Sequence, residues 1–129
     1  MRQGFDIGVL KMAKKVAIVV SKAPYGSAIM GEAFRAAMGL PSVGLETNVV
    51  LEGDAVFALL KDQKPKEALD FGSLHDAWLQ FEDYGFSLFV YKPSVEARGL
   101  TCEQLSHCQT LDDSEFKKML RDMDAILRF

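Results

Sequence analysis

The stretch that decides the fold is Val16-Ala17-Ile18-Val19-Val20, an apolar run in which four of the five residues are β-branched. The run has no polar alternation, which is typical of a strand covered on both faces in a parallel sheet. The next segment, Ser21–Gly26, contains a proline and a glycine and predicts a loop at the end of this strand. A helix is expected to follow, capped by Ser27 and ending at Gly39.

The same pattern of apolar runs separated by helical segments continues to the end of the chain. Four more strands are predicted, over Thr47–Leu51, Phe86–Tyr91, Cys108–Leu111 and Ala125–Leu127. Strands that alternate with helices predict an α/β fold, a doubly wound and mainly parallel sheet of about five strands flanked by helices.

Cap and turn residues mark the ends of the intervening helices. The predicted helices, each with its signal, are Ala55–Leu60 with Asp54 as N-cap, Pro65 to Asp83 closed by Gly85, Pro93–Arg98 closed by Gly99, a turn capped by Thr101, and Ser114–Met123 begun by Asp112 or Asp113. Leu74, Trp78 and Phe81 fall at helical spacing and are expected on one buried face.

The composition fits one globular domain. The chain has 129 residues, of which 49% are hydrophobic and 26% charged, so it can bury one core without metal or disulfide support. Residues 1–11 show neither a helical nor a strand period and are expected to be an N-terminal extension. The domain is then predicted to span residues 12–129.

The charge balance argues against nucleic acid as a direct partner. Fifteen basic residues stand against 18 acidic ones, which gives a net charge of −3, whereas a phosphate-binding protein needs a surplus of Lys and Arg. No apolar run approaches the roughly 20 residues of a membrane span, and the charged start lacks a signal-peptide pattern. We therefore expect no membrane partner, a cytoplasmic protein and reduced cysteines.

Ligands of parallel sheets bind at the carboxyl ends of the strands. Three loops are placed there by the pattern: Ser21–Ser27, Glu52–Asp54 and Tyr91–Ser94. The first lacks both G-x-G-x-x-G and the P-loop lysine, and Pro24 removes one amide donor from a possible phosphate cradle. No cofactor is indicated, and a plain turn is the simpler interpretation.

Cys102 and Cys108 are the candidate catalytic thiols. They are too few for a secreted disulfide framework, and their spacing with no second Cys/His pair predicts no metal site. A helix start after Thr101 would lower the pKa of Cys102, although Glu103 opposes that shift. His107 adjoins Cys108, but neighbours on a strand face opposite sides and do not form a nucleophile–base pair. A structural role is the simpler interpretation of both cysteines, with Cys108 as a small core residue.

Four segments, read together, resemble the DsrE/DsrF-like sulfurtransferase-related family, in particular its DsrF/TusC branch. The resemblance runs from about Met12 to Phe129. The segments that carry it are Val16–Ser21 with Ala-Pro-Tyr-Gly-Ser at Ala23–Ser27, the acidic-Gly helix start at Glu52–Leu60, the strand Leu88–Tyr91 with Ala97-Arg98-Gly99-Leu100, and the ending Asp124–Phe129.

The resemblance implies a doubly wound sheet that assembles into trimers or hexamers. Partners would be paralogous DsrE/TusD-like and DsrH/TusB-like subunits, or further copies of the chain. Members of the family pass persulfide sulfur between proteins, for thiouridine modification of tRNA or for dissimilatory sulfur oxidation.

One position departs from the catalytic pattern of that family. Catalytic members carry the transferable sulfur on a cysteine eight residues before the glycine that corresponds to Gly99, and here that residue is Tyr91. A phenol has no sulfur to transfer. The resemblance therefore implies a non-catalytic, docking subunit with a remnant pocket that faces a partner. The pocket or interface residues would be Ala23, Pro24, Tyr25, Gly26, Asp54, Tyr91 and Lys92, for which ordinary turn chemistry is an equal alternative.

Two other functions stay open at this point. One is an active sulfurtransferase that uses Cys102 or Cys108 from an unusual position. The other is a stand-alone module that binds a small anion or a nucleotide at the strand ends.

Overall fold

The architecture is seen in a computed structural model that describes residues 14–25, 27–61 and 72–129. Five strands form one sheet in the order β4-β3-β2-β1-β5, and every neighbouring pair is parallel. This confirms the predicted sheet. The strands are β1 Lys15–Val20, β2 Glu46–Leu51, β3 Ser87–Tyr91, β4 Thr110–Leu111 and β5 Ala125–Arg128.

The run that predicted the fold is an interior strand of the sheet. Strand β1 pairs with β2 in the register Val16↔Thr47 and with β5 in the register Val16↔Ala125. Residues 16–20 are fully buried. Neighbours on both sides and cover on both faces explain why no polar residue interrupts the run.

Helices cover both faces of the sheet, as the doubly wound prediction requires. The helices are α1 Ile29–Ser42, α2 Gly72–Trp78, α3 Phe81–Tyr84, α4 Lys92–Ala97 and α5 Asp113–Arg121, with 3₁₀ helices at Gly53–Leu59 and Cys102–Gln104. The larger core cluster includes Met30, Trp78 and Val95, whereas Phe116 of α5 packs with Val19 on the other face. Helices α1, α2 and α4 therefore share one face, and α5 covers the opposite one.

The helix after β1 is longer than predicted. It does not end at Gly39 but continues through Pro41 to Ser42. Gly39 lies inside the helix, whereas Gly44 adopts a φ of +89° and allows the chain to reverse into β2. A glycine ends a helix where the left-handed conformation is needed, and that position is Gly44.

Asp54 does not cap the next helix. The 3₁₀ helix begins two residues earlier than predicted, with Glu52 at the N-cap position, and Asp54 instead contacts Arg98. The predicted helix from Pro65 to Asp83 lies partly outside the described residues. Within them it is two helices, α2 and α3, and Gly85 ends the second with a φ of +87° as expected.

Other local predictions are confirmed. Asp112 caps α5 by accepting a hydrogen bond from the backbone of Glu115, whose side chain in turn accepts one from the backbone of Asp112. Thr101 and Gln104 form the same reciprocal arrangement around the second 3₁₀ helix. Leu74, Trp78 and Phe81 all pack in the larger core cluster.

In the part of the chain that the structure describes, no helix is long and apolar enough to cross a membrane. The expected N-terminal extension, residues 1–11, lies outside the described residues.

Candidate functional site

The carboxyl ends of the parallel strands meet at one edge of the sheet, and the predicted loops lie there. Glu52 follows β2, Tyr91 ends β3 and Asp112 follows β4. Register pairs Tyr91 with Leu111, so the ends of β3 and β4 are level. This edge is the candidate site.

The connections after β3 and β4 leave the sheet on opposite faces. Helix α4 follows β3 and places Val95 in the larger core cluster, whereas α5 follows β4 and places Phe116 on the other face. Open α/β sheets bind ligands outside the carboxyl ends of their strands. Here the crevice is the space between Tyr91, at the end of β3, and Asp113, at the start of α5.

A hydrogen bond spans this crevice. The hydroxyl of Tyr91 donates to Oδ1 of Asp113 over 2.5 Å, and Lys117 contacts the other carboxylate oxygen at 2.9 Å. The Tyr91 ring packs on Phe116 with 5.0 Å between centroids. The crevice therefore holds a phenol fixed by a carboxylate and an aromatic ring.

The Tyr91–Asp113 contact shifts the pKa values of the two side chains in opposite directions. The hydrogen bond from Tyr91, followed by the one from Lys117, lowers the pKa of Asp113 below its ordinary value. The same hydrogen bond raises the pKa of Tyr91, and burial and the charges of Asp113 and Glu52 add to this. The site at neutral pH is thus a neutral phenol donating to a carboxylate.

A second polar cluster joins the ends of β1 and β2 to α4. Ser21 donates to Glu52 over 2.8 Å, and the backbone N–H of Gly53 donates to Oγ of the buried Ser94 over 2.8 Å. Arg98 contacts Oδ1 of Asp54 through Nε and Nη2, each at 3.0 Å. Sequence reasoning missed Ser94 and Arg98 as partners in this cluster, because their contacts lie about 40 residues away along the chain.

The remaining predicted pocket residues lie along the same edge. Ala23, Pro24 and Tyr25 follow β1, which is separated from β3 by β2, and the strand spacing of about 4.8 Å puts these ends roughly 10 Å apart. Burial raises the pKa of Tyr25. Lys92 follows Tyr91 and is exposed. Gly26 lies outside the described residues. That these residues form one pocket stays a prediction.

The expectation of reduced cysteines is wrong for this structure. Cys102 and Cys108 are joined by a disulfide with 5.4 Å between their Cα atoms, and the described part of the chain has no free cysteine. The 3₁₀ turn after Thr101 folds the chain back and brings the two cysteines together. Their Cα–Cα distance is within the usual range for disulfides. A disulfide provides no thiolate nucleophile, so neither residue is a catalytic thiol in this state.

The disulfide lies before β4 in the chain and not at the carboxyl end of that strand. Cys108 precedes Leu111 by three residues, which corresponds to about 10 Å along an extended chain. A surface hollow of about 370 Å³ lies beside the turn of Cys102 and is lined by Leu60, Lys61, Glu103 and Gln104. It contains none of the predicted site residues.

The two histidines have structural contacts. Nε2 of His107 lies 2.8 Å from the carbonyl oxygen of Leu88, and its ring packs on Phe81. His75 contacts Asp76 through Nδ1 at 3.0 Å and Ser106 through Nε2 at 2.8 Å. The contact with Asp76 joins two consecutive residues of α2, although neighbours on a helix usually diverge. In residues 14–25, 27–61 and 72–129, no group of three or more His, Cys, Asp or Glu residues is placed to hold a metal.

Comparisons with known proteins identify the family of the chain. The DsrE/DsrF-like family matches residues 14–129. Protein TusC of Klebsiella pneumoniae is 41% identical over 120 residues, which cover 90% of this chain and 99% of the relative. Protein TusC of Buchnera aphidicola subsp. Baizongia pistaciae is 29% identical over 122 residues, with the same coverage.

Two solved structures share the fold. The ychN protein from E. coli superposes with a TM-score of 0.72 at 25% identity and covers 90% of this chain and 99% of its own. MTH1491 from Methanobacterium thermoautotrophicum, a protein of unknown function, has a TM-score of 0.67 at 12% identity over 89% and 98% of the two chains. The second likeness is evidence for the fold alone.

Proposed function

The chain belongs to the DsrE/DsrF-like family, in its DsrF/TusC branch, and from this premise we propose that it is a non-catalytic docking subunit of a sulfur-relay complex. In such a complex, partner subunits carry sulfur as a persulfide and pass it between proteins. The partners would be DsrE/TusD-like and DsrH/TusB-like paralogues, or further copies of this chain in a trimer or hexamer.

The observation that carries the proposal is the side chain at position 91. Family members that carry sulfur have a cysteine at this point in the pattern, whereas Tyr91 has a phenol held by Asp113. Persulfide transfer needs a thiolate to attack a sulfane sulfur, and neither a phenol nor a carboxylate can retain that sulfur. The crevice is thus occupied by a side chain that cannot accept a sulfane sulfur.

The two cysteines of the chain support the same conclusion. Cys108 precedes the end of β4 by three residues, about 10 Å along an extended chain, and the two cysteines are joined to each other. An active sulfurtransferase that uses Cys102 or Cys108 would need a free thiolate at a place where a partner's persulfide can arrive. The alternative of a nucleotide or anion module has no phosphate-binding loop to support it.

Docking is expected at the edge that contains Tyr91, Lys92 and Tyr25. Lys92 and Tyr25 are exposed there, and tyrosine is among the residues that are enriched in protein interfaces. A partner that covers this edge would place its own thiol next to the Tyr91 crevice. The domain proposed to do this is residues 12–129, preceded by the extension 1–11.

The test is co-purification of the full-length tagged chain from its native cell. We expect a stable complex that contains a paralogue with a cysteine at the position of Tyr91, and loading with a persulfide donor should add sulfur to the paralogue alone. Lys92→Glu should weaken the complex, whereas Lys118→Glu, on the exposed side of α5, is the matched control. Isolation of the chain as a lone monomer would refute the proposal.

A further inference from the structure

The Cys102–Cys108 bond is a feature that the proposed docking role does not use. The sulfur atoms close a loop of only five intervening residues. A disulfide stabilises a protein mainly by restricting the unfolded chain, and this effect is smallest for short loops. The bond is therefore a weak structural brace.

The turn that carries the disulfide is held in place by other contacts. Leu105 is buried and forms an antiparallel bridge with Leu60. The backbone of Lys61 donates to Gln104 over 2.8 Å, and that of Ser106 donates to Leu59 over 2.8 Å. The Thr101–Gln104 capping box closes the start of the turn. These contacts remain available when the sulfur atoms are not joined.

The two sulfur-bearing residues have different surroundings. Cys102 is exposed at the start of the 3₁₀ turn, next to the hollow lined by Glu103 and Gln104. Cys108 is partly buried and packs against the larger core cluster. An incoming thiolate can therefore reach Cys102 more easily than Cys108, and access decides which sulfur of a disulfide is attacked.

From these observations we propose that Cys102 and Cys108 form a thiol–disulfide exchange site whose co-reactants are small thiols of the glutathione class. A thiolate attacks Sγ of Cys102, the bond to Cys108 breaks, and Cys108 leaves as a thiolate that takes up a proton. The product is a mixed disulfide at Cys102.

A second thiol then completes the reduction. Its thiolate attacks the small-thiol sulfur of the mixed disulfide and releases Cys102. The sum is one protein disulfide and two small thiols converted to two protein thiols and one small disulfide, so two electrons pass to the protein. The reverse steps reoxidise the pair. Assembly with a partner is not required, so failure of this proposal leaves the proposed docking function intact.

The experiment equilibrates the full-length folded protein with mixtures of reduced and oxidised glutathione at neutral pH. Alkylation followed by intact-mass analysis counts the free thiols. We expect both thiols to appear together as the fraction of reduced glutathione rises, and to disappear together when it falls. The far-ultraviolet circular dichroism should stay unchanged throughout.

Single variants test the direction of attack. In Cys108→Ser, oxidised glutathione should form a mixed disulfide at Cys102 roughly tenfold faster than it does at Cys108 in Cys102→Ser, because the exposed sulfur is more accessible. Equal rates, or a bond that opens only in denaturant, would overturn the proposal. Loss of cooperative unfolding in the Cys102→Ser/Cys108→Ser variant would show a structural brace and overturn it as well.

Discussion

The hydroxyl of Tyr91 donates a 2.5 Å hydrogen bond to Oδ1 of Asp113, and this contact ties the last residue of β3 to the first residue of α5. The two connections that start there lead to opposite faces of the sheet. The contact therefore joins the two sides of the crevice at the carboxyl ends of β3 and β4. Its chemistry is that of a fixed phenol, which is consistent with a subunit that borders a reaction without taking part in it.

Tyr91→Phe should raise the pKa of Asp113 toward its ordinary value of 3.8. The hydrogen bond from Tyr91 is the largest cause of the lowered pKa, while Lys117 remains and keeps part of the effect. A carbon-13 NMR titration of the Asp113 carboxyl measures this. Tyr84→Phe, which changes an exposed tyrosine on α3, is the matched control and should leave the pKa of Asp113 unchanged. An Asp113 pKa that is the same in Tyr91→Phe and wild type would contradict the assignment.

Asp124→Asn should flatten the acid dependence of stability. One carboxylate oxygen of Asp124 accepts the backbone N–H groups of both Lys14 and Lys15 at 2.9 Å, and these bonds lower its pKa in the folded state. The stabilisation is present above the unfolded pKa, near 3.8, and is lost as pH falls through the lower folded pKa.

Urea unfolding at a series of pH values below about 5 checks this expectation, since the loss spans the range from above the unfolded pKa downward. Wild type should lose stability over this range more steeply than Asp124→Asn, because the amide cannot gain a proton there. Asp122→Asn, two residues earlier and exposed, should follow the wild-type curve. Parallel curves for wild type and Asp124→Asn would show that the two backbone contacts do not matter.

Gly53→Ala should destabilise the protein by about 1–3 kcal/mol. Gly53 has a φ of +54°, and a Cβ there would lie 3.2 Å from the carbonyl oxygen of Ser21, which belongs to the backbone and cannot move easily. Gly39→Ala is the control, since Gly39 is helical with nothing within 4 Å of a new Cβ. That change should stabilise by about 0.5–1 kcal/mol. Unfolding midpoints that shift in the same direction for both variants would refute this account.

Ser94→Ala should cost about 1–3 kcal/mol, because it leaves the backbone N–H of Gly53 without its acceptor. Ser94 is 9% exposed, so water replaces its hydroxyl poorly. Ser114→Ala, on an exposed position of α5, should change the free energy of unfolding by less than about 0.5 kcal/mol. Denaturant unfolding of both variants measures the difference. Equal stability would mean that the loop after β2 is held by its other contacts alone.

Local chemistry explains which parts of the fold were predictable. The apolar run at 16–20 predicted a strand because it has no face that suits water, and the run at 47–51 predicted one although it begins with Thr47 and Asn48. Both segments are buried in interior strands of the sheet. Asp112 predicted the start of α5 because its cap is made with Glu115, only three residues away. Interactions of this short range are visible in a sequence.

The errors come from interactions over longer range. Asp54 had the residue type of an N-cap, but Arg98 lies 44 residues further on and holds its carboxylate instead. Gly39 is compatible with a helix end, yet the reversal takes place at Gly44. The disulfide could have been suspected from the turn predicted at Thr101 between two cysteines six positions apart. Two cysteines are too few for a secreted disulfide framework, but a turn can still bring a single pair within bonding distance.

Tyr91→Cys in a Cys102→Ser/Cys108→Ser background should create a thiol of low reactivity at the crevice. The charges of Asp113 and Glu52 both disfavour an anion at residue 91, and only the thiolate form of a cysteine reacts. Adding Asp113→Asn removes one of these charges. The rate of alkylation by iodoacetamide near neutral pH should then rise by about two- to threefold. The double-serine background that keeps Tyr91 is the control and should not be alkylated. An alkylation rate that falls or stays constant on adding Asp113→Asn would mean that the carboxylate does not control the reactivity of a thiol at position 91. The absence of a thiol at Tyr91 would then be the one feature that keeps the crevice from carrying sulfur.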